Sequence, residues 1–132
     1  MRKVFISYAH SDSDEVARFV KALKNQDIVG WLDQADLSAG EAIPSAVRSA
    51  LERSSALIVL LSPHALQSQW VQFEIGAAEA LGKKIVPVIL SGDFPGENVP
   101  EILRNRVWVD ARDRAYEDVV RDLQHAVESL SG

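Results

Sequence analysis

The sequence predicts an α/β fold: a flavodoxin-like three-layer sandwich, with a five-stranded parallel sheet in the order 2-1-3-4-5 and helices on both faces. The main observation is an alternation. Short apolar runs and stretches of helical period follow one another five times, and such chains build parallel strands joined by helical crossovers. A second observation is length. The 132 residues match one domain, so 1–132 is read as a single unit large enough to bury a core without staples. A third is continuity, since no repeat, low-complexity tract or Pro/Gly-rich linker divides the chain.

Val4-Phe5-Ile6-Ser7-Tyr8 reads as the first strand. Ser11 to Asp14 then supply capping residues and early negative charge. Val16, Phe19, Val20 and Leu23 follow at i, i+3, i+4 and i+7, the spacing of one helix face. Ile28 to Leu32 is the second strand, and a turn-rich loop from Asp33 to Ile43 leads to Pro44, suited to a first helical position. That helix carries Val47, Ala50 and Leu51. Ser55 to Leu61 is the most hydrophobic run and suits the central strand. A loop through Pro63 reaches Ser68, a cap for a helix from Trp70 to Leu81. Ile85 to Leu90 forms the fourth strand, whose Pro87 points to an edge or a bulge. After a long loop and a short helical turn, Val107-Trp108-Val109 is the fifth. The last helix aligns Tyr116, Val119, Val120, Leu123, Val127 and Leu130.

Composition narrows the function. Apolar residues are 47% and charged residues 25%, as in ordinary globular chains. Fourteen basic against nineteen acidic residues give a formal charge of −5, which disfavours nucleic acid and anionic membrane as partners. The chain has no cysteine, so disulfides, thiolate catalysis and cysteine zinc sites are excluded. No apolar run reaches membrane-spanning length and no signal peptide opens the chain, so the expected compartment is the cytoplasm. His10, His64 and His125 lack metal-ligand spacing, and no metal is expected.

In a sheet of this order the ligand crevice lies beyond the carboxyl ends of strands one and three. Tyr8 to Asp14 and Ser62 to Glu74 are therefore the segments to search. The end of strand three is Leu61-Ser62-Pro63, without the aspartate a receiver domain needs. Ala9-His10-Ser11-Asp12 is not a flavodoxin phosphate loop, no G-x-G-x-x-G follows a strand, and no G-x-S-x-G marks a nucleophilic serine. Gly76 to Lys83 has the wrong spacing for a P-loop and lies within a helix.

The helix after strand three holds the informative residue. With Trp70 at 0° and about 100° per residue, Leu81 falls at about 20°, Glu74 at about 40°, Ala78 at about 80°, Phe73 at about 300° and Ala77 at about 340°. Glu74 thus stands in an apolar arc, one turn from Trp70. A carboxylate there is costly unless it is paired or used. Either it pairs with an arginine or sits at the helix–sheet rim, or it serves a site.

Three blocks together resemble the Toll/interleukin-1 receptor (TIR) domain, over essentially the whole chain. They are Val4 to Tyr8; Trp31-Leu32-Asp33 with Leu37 to Glu41 and Ile43-Pro44; and Leu60 to Pro63 with Ser68-Gln69-Trp70 and Phe73-Glu74. The resemblance implies one of two modes, a homotypic signalling scaffold or an NAD+-cleaving enzyme. In the cleaving group, common in bacteria and plants, the glutamate of a W-x-x-x-E pattern is catalytic, and Trp70 to Glu74 has that spacing. It implies an NAD+ glycohydrolase in immune, antiphage or cell-death signalling, with Glu74 catalytic and NAD+ as substrate rather than cofactor. Trp70, Tyr8, Ala9, His10, Asp33 and Ser38 would bind the substrate. Some NAD+-cleaving relatives carry basic residues where Ala9 and His10 stand here.

Charge placement adds a partner. Arg2, Lys3, Lys21, Lys24, Arg53, Lys83, Lys84, Arg104 and Arg106, nine of the fourteen basic residues, fall on the predicted edge opposite the crevice. Asp12, Asp14, Glu15, Asp33, Asp36, Glu41, Asp93, Glu97 and Asp110 fall on the crevice edge. One reading is complementarity to helix dipoles. The other is head-to-tail association with further TIR domains, which builds open assemblies unless the rotation closes.

Overall fold

The computed structural model describes residues 2–24, 28–32, 45–93, 99, 101–104, 106 and 108–128. Strand β1 (Arg2–Ser7) passes through a 3-10 turn (His10–Asp12) into helix α1 (Ser13–Lys24). Next come β2 (Ile28–Leu32), α2 (Ser45–Arg53), β3 (Ala56–Leu61), α3 (Pro63–Gln67) and α4 (Gln69–Ala80). Then follow β4 (Lys84–Ile89), α5 (Glu101–Arg104), β5 (Val109–Asp110) and α6 (Tyr116–Glu128). The strands pair in parallel in the order β2-β1-β3-β4-β5. Four have five or six residues, whereas β5 is a two-residue segment beside Val88 and Ile89. The turn-rich loop from Asp33 to Ile43, with Pro44, lies outside the described residues, as do Val107 and Leu130.

Every residue of β3 is buried, which is why this run is the most apolar in the sequence. Alternate side chains leave a strand on opposite faces, so β3 feeds two cores. Ile58 and Leu60 join Val4, Ile6, Val86 and Val88 beneath α1 and α6, against Phe19, Leu23, Val119 and Leu123. Leu57, Val59 and Leu61 join Phe5 and Ile85 beneath the other helices, against Leu51, Val71, Ile75, Ala78 and Leu103. Phe19 and Tyr116 tie α1 to α6 edge to face at 5.9 Å.

Two local departures have simple causes. Pro63 begins a helix rather than a loop: Ser62 is extended at the N-cap, and Pro63 takes the first position, where its missing N–H costs nothing. Pro87 sits in a strand that is interior to the sheet order, not at an edge. Ile89 O accepts from Ala111 N and Leu90 N donates to Leu61 O, so Ile89 faces β5 and Pro87 shares that orientation by alternation. The β5 pairing starts only opposite Val88. The proline thus lacks its donor where the ladder has not yet begun.

Helix α4 starts as its sequence suggests, with the Ser68 hydroxyl accepting from Val71 N at 3.2 Å. It ends through Gly82 at φ 69°, with Lys83 N bonded back to Ala78 O at 2.9 Å. That left-handed close favours glycine. The buried residues are Val71, Glu74, Ile75 and Ala78. The buried face therefore centres near Ala78, at about 80° from Trp70 on the helical wheel. Trp70, Phe73 and Ala77 are left half-buried. Glu74 lies inside both versions of the arc.

Candidate active site

Ser7 ends β1 on the same face of the sheet as Phe5, the face that α4 covers. Its hydroxyl donates to Glu74 Oε1 at 2.7 Å. Ser7 is 0% exposed and Glu74 1%, so the bond is closed to bulk water, where hydrogen bonds to carboxylates are strong. The donor to Oε1 is thus a strand hydroxyl, brought to the carboxylate from β1.

A second constellation lies at the same edge of the sheet. Ser62, directly after β3, accepts from Ala65 N at 3.0 Å as the cap of α3. Its hydroxyl also donates to Asp12 Oδ2, in the 3-10 turn after β1. The loops following β1 and β3 are thus tied together where the strand order reverses, the position at which open α/β sheets hold ligands.

The expected site residues separate into groups. Ala9 lies in the apolar cluster around α4, and Trp70 packs partly buried against it. The Trp70 Nε1 atom is buried and makes no hydrogen bond among the described residues. Tyr8 is 4% exposed but belongs to the core under α1 and α6, on the opposite face from Glu74. His10 is exposed at the start of the 3-10 turn. Asp33 and Ser38 lie outside the described residues. Sequence reasoning missed Ser7, Ser62 and Asp12 as partners. The signal for Ser7 is available: a serine two residues after Phe5, directly following Val4-Phe5-Ile6, falls on the buried face.

Among the described residues, no cluster of His, Asp or Glu could hold a metal ion. No described helix is long and apolar enough to cross a membrane. A surface depression of about 460 Å³, lined by Glu79, Glu101, Ile102 and Arg106, lies towards the far end of α4 from Trp70. An Arg106–Glu79 ion pair at 2.7 Å bridges it.

Four of the nine residues assigned to the basic edge bond helix carbonyls of the same chain. Lys83 Nζ reaches Glu52 O and Arg53 reaches Ser49 O at the end of α2. Lys84 Nζ reaches Ala126 O in the last turn of α6, and Arg106 reaches Ile102 O in α5. Cations near helix C-termini complement the negative end of the helix dipole. On the other edge, Asp110 is held at about pKa 2, below its usual 3.8, by hydrogen bonds from the Arg112 side chain and backbone. The crevice edge therefore carries Arg112 and Arg114 as well as acids, each in an ion pair with an aspartate.

Comparison with known proteins agrees with this architecture. The chain is 29% identical over 86 residues to the 2′ cyclic ADP-D-ribose synthase BtTIR of Bacteroides thetaiotaomicron, covering 62% of this chain and 30% of that protein. It is 27% identical over 134 residues to the NAD(+) hydrolase TcpA of a Theionarchaea archaeon, covering 97% of this chain and 40% of that protein. The chain thus spans less than half the length of either relative. The crystal structure of the TIR domain of the Toll-related receptor TRR-2 from Hydra magnipapillata superposes with a TM-score of 0.74 at 23% identity, covering 95% of this chain and 97% of that one. The family model described as TIR domain matches residues 4–124, and the chain belongs to the TIR domain family.

Proposed function

We propose that this domain cleaves the bond between nicotinamide and ribose in NAD+, with Glu74 as the catalytic residue. The products are nicotinamide and ADP-ribose or a cyclised form, and the setting is cytoplasmic immune or cell-death signalling. The observation that carries the reading is a buried carboxylate beside the sheet's switch point, on a W-x-x-x-E helix, with its oxygen held by Ser7. Relatives named as an NAD(+) hydrolase and a cyclic ADP-ribose synthase support the same substrate.

The chemistry suits one carboxylate. Ordinary glycosidases need a second, because an alkoxide leaves poorly without a proton. Nicotinamide in NAD+ is a cationic pyridinium. When the C1′–N bond breaks, the electron pair goes to nitrogen and the ring departs neutral. The ribose left behind resembles an oxocarbenium ion, which a fixed negative charge in a site of low dielectric stabilises. Water, or a nucleophile within the same molecule, then bonds to C1′, and the proton that water sheds passes to solvent. Trp70 supplies an aromatic face one helical turn away for the pyridinium.

The test is nicotinamide release by wild type and Glu74→Gln, which keeps the shape of the side chain and removes its charge. Loss of the charge lowers the rate by about 100- to 1000-fold, with thermal stability retained. An equal rate in the variant removes Glu74 from the reaction.

One observation favours a second reading, a non-enzymatic scaffold working through homotypic TIR contacts. Glu74 is 1% exposed, so a substrate reaches it only after the groups that cover it shift. A scaffold needs no such opening. Absence of nicotinamide release from the assembled wild-type protein would establish this alternative.

A further inference from the structure

We propose that Ser7 is a positioning residue for Glu74, its hydroxyl fixing the direction in which the carboxylate meets the substrate. The proposal rests on the reading of Glu74 as the catalytic group and adds a second residue to that site.

Three features of the structure lead to it. First, Ser7 occupies a core position. It is 0% exposed and shares its face with Phe5 and its pairing register with Val59. A hydroxyl buried without a purpose is costly there, and alanine would fill the place equally well. Second, the hydroxyl is committed to the carboxylate at 2.7 Å. The bond joins residues 67 positions apart, so it is tertiary and not a turn or cap. Third, the two ends of the glutamate are held by different elements. Helix α4 fixes its backbone, while β1, paired on both sides by β2 and β3, holds its Oε1.

Glutamate has three side-chain torsions, and a helix alone restricts mainly the first. A carboxylate free to turn about the others spreads its charge over several places. Anchored at one oxygen to the centre of a sheet, it presents its charge from a single place. Charge stabilisation in a transition state requires such pre-organisation, because reorganising the group during reaction forfeits much of the benefit. Ser7 touches neither the reacting bond nor the leaving group in this account and acts through Glu74.

The experiment compares wild type, Ser7→Ala and Ser7→Thr, with Glu74→Gln as the reference for the underlying reading. Steady-state nicotinamide release gives kcat and KM, and the ¹³Cδ resonance of Glu74 in labelled protein reports the carboxylate without turnover. Ser7→Ala is expected to lower kcat by roughly 10- to 100-fold, with KM within about twofold. Its Glu74 resonance should move. Ser7→Thr keeps the hydroxyl and should restore most of the rate and return the resonance towards wild type.

A Ser7→Ala variant with unchanged kcat and an unmoved resonance, beside an inactive Glu74→Gln, overturns the positioning role while leaving the catalytic assignment intact. Equal impairment of the alanine and threonine variants also overturns it, since packing rather than the donor would then matter. An active Glu74→Gln would instead overturn the catalytic assignment itself. If wild type shows no turnover, the resonance decides whether Ser7 sets the carboxylate.

Discussion

The Ser62 hydroxyl accepts from Ala65 N at 3.0 Å and donates to Asp12, so one oxygen caps α3 and joins it to the turn after β1. Its two roles are separable by mutation. Ser62→Ala removes both and should cost about 1–2 kcal/mol, the upper part of the range for lost N-caps. Asp12→Ala removes only the cross-loop bond and should cost less. The double variant should fall short of the summed losses, as expected for groups in contact. Urea unfolding midpoints measure all three. Additive losses would mean that the loops are not coupled through this pair. Glu74 and Ser7 belong to the same scale: what matters there is one bond between a helix and a strand, set by side-chain parity.

Helix α4 shows how elements respond to their own residues as well as to their neighbours. Gly76 is exposed within it, and an added Cβ there meets nothing within 4 Å. Gly76→Ala should raise stability by about 0.5–1 kcal/mol through helix propensity. Gly82 also has open space but sits at φ 69°, and alanine there should lower stability by about 1–2 kcal/mol. Opposite shifts in thermal midpoint are the expected result. The same helix marks what the sequence made legible. Ser68 as cap, the strand cores and the face of α1 follow from local pattern, and so does Glu74 on a buried face. The rotation of that face did not follow, because Trp70, Val71, Phe73, Ile75, Ala77 and Ala78 make α4 apolar on most sides. The helix at Pro63 was hidden because five residues are too few to show a period. Proximity along the chain predicts Tyr8 in the crevice, but its side-chain parity sends it to the other core.

At the scale of the whole molecule, the charge split has two explanations of unequal reach. Lys83, Lys84, Arg53 and Arg106 already serve helix ends, so much of the basic edge is accounted for within one chain. Asp36 and Glu41 lie outside the described residues, but their substitution tests head-to-tail assembly directly. Asp36→Lys combined with Glu41→Lys is expected to reduce particle size in light scattering and to reduce NAD+ turnover in parallel. If neither changes, acid–base complementarity does not join the copies.

Pro87 bears on how any such joining can occur. A sheet can grow by offering its border backbone groups to a strand from another molecule, the route by which many proteins polymerise wrongly. Here the row of β4 amides facing β5 is broken at Pro87, and β5 itself spans only Val109 and Asp110. An incoming strand would find a gap in the ladder at the place where it must begin. On this side of the sheet, a strand from another copy meets an interrupted row of donors.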